Sequence, residues 1–233
     1  MRKTLMAAAG LSILFLSACA EPPSESQSTV KIAVDPTDEE QMVLAEIYRQ
    51  IIQFDGRAVG IIPMELADDS TKLDVLLAGE ANFAVMCAGS LVTQTNPGEA
   101  SELNRAVADA AEEGHSDNVE DIPLSTYDAA VASLPTVLRT IDPSPAESCA
   151  NQEHGDLPNN IIPVFKAQLF ERGVLRAMNK ATRALSTEEL DELVKESAKD
   201  PDPSHVVNEW IQEKTGMGVA LERAVEDDEP GSA

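Results

Sequence analysis

Between residues 30 and 91, hydrophobic and polar positions follow the pattern of three short strands separated by two amphipathic helices. The run Val30–Val34 is rich in β-branched residues and too short for a helix, so it predicts a strand. The apolar runs Ala58–Met64 and Ala81–Cys87 predict two more. Strands that alternate with helices form right-handed βαβ units, so this region predicts a parallel sheet covered by helices.

The two helices carry their own start and stop signals. Thr37–Glu40 has the Ser/Thr-x-x-Glu form of a capping box, and Gly56 suits the left-handed conformation at a helix end. The apolar face of this first helix is Leu44, Ile47, Tyr48 and Ile51. The second helix has an N-cap candidate within Asp68–Ser70, and its apolar side is Leu73, Leu76 and Leu77.

The pattern weakens between residues 92 and 160. It predicts a loop at Thr93–Gly98, an acidic helix at Glu99–Glu113, a short helix at Tyr127–Leu134 and a strand at Val137–Ile141. Regular structure returns with a predicted strand at Ile161–Phe165. Three helices follow, of which the second opens with a capping box at Ser186–Glu189 and the third ends at Gly216.

The amino terminus has the form of a targeting segment. Arg2 and Lys3 precede the apolar run Leu5–Leu16, which is too short to span a bilayer as a stable helix. The residues Leu16–Cys19 resemble a bacterial lipobox, in which the cysteine receives lipid. This predicts a signal peptide at 1–18, lipidation of Cys19, a tether at 19–29 and an extracytoplasmic location at the membrane. The alternative is an ordinary signal peptide cleaved after Ala18 or Ala20.

Two cysteines remain once Cys19 is assigned to the lipid. Outside the cytoplasm disulfides persist, so Cys87 and Cys149 predict a bridge that closes a long loop. The alternative is two free thiols, with Cys87 packed at the end of a strand.

Composition excludes several classes of function. A formal net charge of −24 argues against a nucleic-acid surface, which needs clustered basic residues. The sequence has no G-x-S-x-G, glycine-rich phosphate loop, H-E-x-x-H or C-x-x-C motif, so it predicts no enzyme. The three histidines, His115, His154 and His205, have no metal-ligand spacing, and neither a metal nor another cofactor is expected.

Two parts of the chain resemble the substrate-binding lipoproteins of osmoprotectant (glycine betaine, choline, carnitine) ABC importers. The first part has Asp38–Gln41 where the family has F-T-E-Q, and Met42–Tyr48 where it has L-I-L-A-E-I-Y. Gly79–Asn82 follows in place of G-E-I-D, and Ala88–Ser90 in place of T-G-T. The second part has Ile162–Val164 in place of A-P-V, then Ala177–Lys180, Leu185–Leu193 and Asp202–Gly216 as counterparts of the family's C-terminal helices.

The resemblance implies an α/β fold of the periplasmic-binding-protein type (type II). It has one clear βαβαβ lobe, a reduced second lobe and a C-terminal helical segment. We expect the first lobe at 30–91 and 161–217, the second lobe at 92–160 and an acidic tail at 218–233. The implied partners are a small-molecule solute and an ABC permease, with the membrane contacted through the lipid. The alternative is a degenerate relative that acts through a protein partner without transport.

Candidate ligand-binding residues lie where parallel strands end, since ligands bind beyond those ends. They are Asp35, Thr37, Glu39, Gln41, Met86 and Ser90, with Tyr127 as a free aromatic residue. The family holds methylated cations by cation–π contact with tyrosines in a Y-P-E-Y-T-G pattern. The matching residues 84–89 place Ala84 and Cys87 at the two tyrosine positions, so we expect weak or no binding of glycine betaine.

Overall fold

The computed structural model describes residues 28–66, 68–113, 121–199 and 203–217. The predicted signal peptide, the lipidation site Cys19, most of the tether, His115 and the acidic tail lie outside these residues. In chain order, the described elements are β1 (Val30–Val34), α1 (Glu39–Phe54), β2 (Val59–Pro63), α2 (Asp69–Ala78), β3 (Phe83–Cys87), α3 (Ala88–Thr95), α4 (Pro97–Glu113), α5 (Asp121–Ser133), β4 (Leu138–Arg139), β5 (Ile161–Lys166), α6 (Arg172–Ala184), α7 (Thr187–Ser197) and α8 (Pro203–Thr215).

These strands form one sheet in the order β2-β1-β3-β5-β4. Strand β1 lies between β2 and β3 and is parallel to both, which confirms the prediction for this part of the sheet. Strand β5 runs antiparallel to β3 and to β4, so the sheet is mixed. Because β5 is antiparallel to both of its neighbours, β4 is parallel to β3. The carboxyl ends of β1, β2, β3 and β4 therefore lie at the same end of the sheet.

Helices cover both faces of the sheet, because successive side chains of a strand point to opposite faces. On one face Ile32 and Phe83 pack in a core with α1, α6, α7 and α8. On the other face Ala33 and Met86 pack in a second core with α2, α3, α4 and α5. Residues 92–160 thus contribute helices to the second core, while their assignment to a separate lobe stays a prediction.

Helix α1 confirms the predicted apolar face but not its predicted cap. The four residues of that face are buried. The N-cap is Asp38, whose carboxylate accepts a hydrogen bond of 3.0 Å from the Gln41 amide. The capping box predicted at Thr37–Glu40 is therefore wrong. Thr37 instead donates to Asp35 within the preceding turn, since the carboxylate of Asp38 occupies the capping role one residue later.

Several other boundaries differ from the predicted ones. The loop expected at Thr93–Gly98 is wrong, because α3 runs to Thr95 and α4 begins at Pro97; the strand end from which Met86 and Ser90 were predicted to bind ligand passes directly into α3. Helix α5 is longer than predicted, while β4 has only two residues. The side chain of Leu77, expected to be buried on α2, is 44% exposed.

The C-terminal helices agree with the pattern from which they were predicted. Ser186 and Glu189 form both hydrogen bonds of a capping box at the start of α7. On α8, Trp210 is buried in the first core, and Gly216 follows the helix with a positive φ of 68°. The hydroxyl groups of Tyr48 and Thr182 lie 2.9 Å apart, which joins α1 to α6 inside that core. Within the described residues, no helix is long and apolar enough to cross a membrane.

Candidate functional site

The loop after β1 places three of the predicted site residues together. Asp35 accepts hydrogen bonds from the Thr37 amide at 2.9 Å and from the Thr37 hydroxyl at 2.7 Å. The hydroxyl bond is the largest cause of a lowered pKa for the Asp35 carboxyl, and the charge of Lys72 lowers it further. The Asp35 amide in turn donates to the Gln41 side-chain oxygen at 3.4 Å. Asp35 is therefore a stable carboxylate with its oxygens already occupied by local donors.

The neighbouring residues of this loop are equally engaged with one another. The Gln41 side-chain nitrogen donates to Asp38 at 2.9 Å. Glu39 is an exposed residue in the first turn of α1. Three further acidic residues, Asp38, Glu39 and Glu40, follow Asp35 at the start of this helix and make the segment acidic.

A buried polar cluster lies at the carboxyl end of β3. The Asp69 carboxylate lies 3.0 Å from the Lys72 ammonium, and both side chains are almost completely buried. The same carboxylate accepts hydrogen bonds from the Cys87 amide at 3.0 Å and the Ser90 hydroxyl at 2.8 Å. Lys72 also donates to the Val85 carbonyl at 2.8 Å. The charges are thus paired and hydrogen-bonded, as buried charges must be.

A segment of chain, residues 147–160, covers this cluster, and we call it the strap. The Asn159 side-chain oxygen accepts a hydrogen bond from the Ser90 amide at 2.9 Å, and its nitrogen donates to the Ser148 carbonyl at 2.9 Å. The strap lies so close to α3 that a Cβ at Gly89 would be 2.9 Å from the Pro158 carbonyl oxygen. Only glycine fits there without a shift of backbone.

The predicted disulfide fastens the strap to the end of β3. Cys87 and Cys149 are bonded, with their Cα atoms 6.3 Å apart and 62 residues apart in sequence. Met86 and Ser90, both predicted to contact ligand, are fully buried, Ser90 against Asn159 of the strap and Met86 in the second core. Neither side chain is open to a solute in this structure.

The remaining candidate, Tyr127, lies on an open groove at the β4 edge of the sheet. Helix α5 contributes Tyr127 from one face and helix α6 contributes four residues from the other, with the chain after β4 between them. The cavity volume is about 580 Å³, and the lining residues are Tyr127, Arg139, Thr140, Ile141, Asp142, Arg172, Leu175, Arg176 and Asn179.

Polar contacts orient part of this groove. The Tyr127 hydroxyl donates to the Ile141 carbonyl at 3.1 Å. Burial is the main cause of a raised pKa for Tyr127, and the carboxylates of Asp142 and Asp128 add to it, so the phenol stays protonated. Asn179 donates to Asp142 at 2.9 Å, while its own side-chain oxygen is buried without a hydrogen-bond partner among the described residues.

The structure therefore divides the predicted site residues among three places. Asp35, Thr37, Glu39 and Gln41 lie around the start of α1, Met86 and Ser90 are buried at the end of β3 and the start of α3, and Tyr127 lines the groove. The buried pair of Asp69 and Lys72 was not predicted from the sequence. The spacing Asp-x-x-Lys on a helix with apolar residues was an available signal. Among the described residues, no group of three or more histidine, cysteine or acidic side chains is arranged to hold a metal ion.

Comparison with known proteins gives a likeness in structure only. No family model matches the sequence, and no curated protein is significantly similar to it. A crystal structure described as a glycine betaine/carnitine/choline ABC transporter is similar with a TM-score of 0.58 and 12% identity, over 79% of this chain and 98% of the other. Apo YehZ from Escherichia coli is similar with a TM-score of 0.59 and 10% identity, over 81% of this chain and 99% of the other.

At identities this low, the likeness shows the fold alone. The chain has an α/β fold like that of the periplasmic binding proteins, which confirms the fold class predicted from the sequence. Nearly the whole length of both similar structures is covered, so the shared fold is not confined to one βαβ unit.

Proposed function

We propose that this chain is the solute-binding component of an ABC importer, built on the osmoprotectant-binding scaffold. It captures a small solute outside the cytoplasm and delivers it to a membrane permease. The observation that carries the proposal is the α/β fold, which is similar to that of a protein described as a glycine betaine/carnitine/choline ABC transporter. The fold alone does not set the ligand, since function resides in the site.

Lipidation of Cys19 and the division into lobes belong to the same proposal. A lipid on Cys19 holds the domain at the outer side of the membrane, where a permease can be reached. The first lobe comprises 30–91 and 161–217, and the second, reduced lobe comprises 92–160. The two approach each other on a bound solute by hinge motion, as in other binding proteins of this architecture.

The groove that contains Tyr127 is the place we propose for the solute. Its volume of about 580 Å³ is within the ordinary range for small-molecule sites. It is open to solvent, whereas the carboxyl end of β3 is covered by the strap. Its one aromatic ring does not make the cage that a quaternary ammonium ligand requires.

A thermal-shift screen of the lipid-free mature chain tests the proposal. The ligands are betaines, amino acids, small organic acids and polyamines, each at millimolar concentration. A ligand present at about 100 times its Kd should stabilise the folded chain by about 2.7 kcal/mol, which is readily measured as an increase in Tm. Stabilisation by at least one solute supports the proposal, and the absence of any shift across the set contradicts it.

The buried polar cluster at the carboxyl end of β3 favours a second candidate function. Asp69, Lys72, Ser90 and Asn159 are joined by hydrogen bonds and an ion pair at the carboxyl end of β3, the kind of position where open α/β sheets bind ligands. On this alternative, the chain is a binding-protein relative that acts through a protein partner without transport. Cross-linking in intact cells separates the two: permease subunits in the cross-linked product favour import, and another protein in their absence favours the alternative.

A further inference from the structure

The groove at the β4 edge is basic in a chain that is otherwise strongly acidic. Its lining has three arginines, Arg139, Arg172 and Arg176, and one carboxylate, Asp142, which gives a formal charge of +2. The whole chain has 17 lysines and arginines against 41 aspartates and glutamates. A solute with negative charge is therefore repelled by most of the surface and attracted to this groove.

The guanidinium groups are available to a ligand. Within the described part of the chain, Arg139 and Arg172 have no ion pair, and Arg176 donates only to the Arg172 carbonyl at 3.3 Å. Arg139 lies over the Phe165 ring at 6.0 Å, a contact that leaves its N–H groups free. Asp142 cancels one of the three positive charges, but its carboxylate accepts a hydrogen bond from Asn179 and lies 3.8 Å from Arg183, and it forms no ion pair with the three arginines among the described residues.

The arrangement suits two acidic groups rather than one. Arg172 and Arg176 are four residues apart on α6, so their side chains lie on the same face of that helix. Arg139 approaches from β4, on a different element. A guanidinium binds a carboxylate through two parallel hydrogen bonds, so the two sides of the groove can each hold one acidic group of the same molecule.

Asn179 favours a ligand that carries a hydrogen-bond donor. Asn179 lines the groove, and its side-chain oxygen is buried without a partner among the described residues; an unsatisfied buried acceptor is unfavourable, so a turn of this amide toward a ligand would be favoured. A hydroxyl group next to a carboxylate would supply the missing bond. A methylated cation has no strong donor and would not.

We propose that the groove lined by Arg139, Arg172, Arg176 and Asn179 binds a small hydroxy-dicarboxylate. This inference rests on the proposed function, because it names the solute class of the same site. The aromatic ring of Tyr127 forms the opposite wall, and its hydroxyl is held by Ile141. No covalent step is involved, and binding is reversible.

The test is isothermal titration calorimetry of the mature chain with malate, succinate, inorganic phosphate and glycine betaine. We expect malate to bind more tightly than succinate, which lacks the hydroxyl group, and both to weaken steeply as salt increases. Arg176→Gln and Arg172→Gln should each weaken malate binding at least tenfold, since each removes a charge-assisted hydrogen bond. Asn179→Leu should abolish the preference for malate over succinate.

Arg105→Gln is the matched control, because Arg105 is an exposed arginine on α4 outside the groove. It should leave malate binding unchanged. All variants are checked for an unaltered circular dichroism spectrum and Tm, and the exposed position of each arginine makes folding defects unexpected.

The outcomes separate this inference from the proposed function. Binding of phosphate as tight as that of malate, or malate binding unaffected by Arg176→Gln, would overturn the dicarboxylate site. If another solute binds while malate does not, the proposed solute-binding function stands and this inference is wrong. If malate binds through the arginines but permease subunits are never cross-linked, the site stands and the import function is wrong.

Discussion

The Lys72 ammonium lies 3.0 Å from the Asp69 carboxylate, and the two side chains are only 1% and 0% exposed. Removing two charges from water is costly, and such a pair is tolerated only when further hydrogen bonds satisfy it. Here the Val85 carbonyl, the Cys87 amide and the Ser90 hydroxyl do so. The pair therefore fixes α2 against the end of β3.

Lys72→Met should lower the free energy of unfolding by about 3–5 kcal/mol, because the Asp69 carboxylate would stay buried without its counter-charge. Urea denaturation measures the change. Lys199→Met is the matched control, since Lys199 pairs with Glu196 at the same three-residue spacing but in solvent, and it should have no measurable effect. Equal losses in the two variants would show that burial of Lys72 is not the cause.

Joint replacement of Cys87 and Cys149 by alanine should cost about 4 kcal/mol of stability on the chain-entropy relation, because the closed loop is about 60 residues long. Chemical denaturation of the double variant measures the loss. Mass spectrometry of non-reduced peptides from the exported protein should find the two cysteines linked. Two thiols that react with an alkylating reagent in that sample would reject the bond.

Thr37→Val should raise the pKa of Asp35 toward its ordinary value of 3.8, because the Thr37 hydroxyl is the largest cause of its lowering. A folded-state pKa below the unfolded one contributes stability that is present above the unfolded pKa and lost as pH falls through the folded pKa. The stability that the ionised Asp35 carboxyl contributes should therefore be lost at a higher pH in the variant than in the parent chain, within the pH range below 3.8.

Carboxyl NMR resonances followed through an acid titration measure the Asp35 pKa directly. Thr136→Val, a change at another exposed threonine, serves as the control and should leave that titration unchanged. An Asp35 pKa that is the same with valine and with threonine at position 37 would contradict the assignment of the cause.

Cys19→Ala should release the protein from membranes or leave it as an unprocessed precursor, since the proposed lipid would have no attachment site. Partition into detergent, compared between the variant and the parent chain, measures the effect. Ser24→Ala, a change at another residue of the predicted tether, is the control and should leave the partition unchanged. Unchanged detergent partition of Cys19→Ala would refute the anchor.

Glycine betaine should bind weakly or not at all. Each cation–π contact of a cage is worth about 0.5–2 kcal/mol, so the absence of two tyrosines weakens binding by up to about a thousandfold. The positions that match them are Ala84 and Cys87, and both are fully buried. Micromolar binding measured by calorimetry would show that a cage exists elsewhere in the chain.

The βαβαβ half of the fold could be predicted because its signals are local. Strand β1 follows directly from its run of β-branched residues, and the buried face of α1 follows from helical spacing. The disulfide could be predicted because two cysteines remain once Cys19 is assigned to the lipid. The start of α3 could not be predicted. Its N-cap residue is Cys87, whose side chain makes no capping hydrogen bond, and its first turn contains a glycine that packing against Pro158 requires.

The candidate site was less predictable, because its geometry depends on contacts between distant parts of the chain. Asp69 and Lys72 resemble any solvated i,i+3 pair until Asn159 and the strap cover them. Arg139 and Arg176 are separated by a strand and a loop, and only the antiparallel direction of β5 brings their elements to the same edge. Charge counted along the sequence shows an acidic protein and conceals this basic groove.

The bond between Cys87 and Cys149 has a consequence for biogenesis. On the proposed export route, the newly made chain first stands in a reducing compartment, where both thiols remain free. Without the bond, the strap is held only by hydrogen bonds and by the packing of Leu157 in the second core, and the precursor is easier to unfold. Translocation requires an unfolded chain, so the missing bond favours passage. Formation of the disulfide after passage then stabilises the folded domain on the outer side of the membrane. The stabilised domain unfolds less readily, so it does not return through the translocation route.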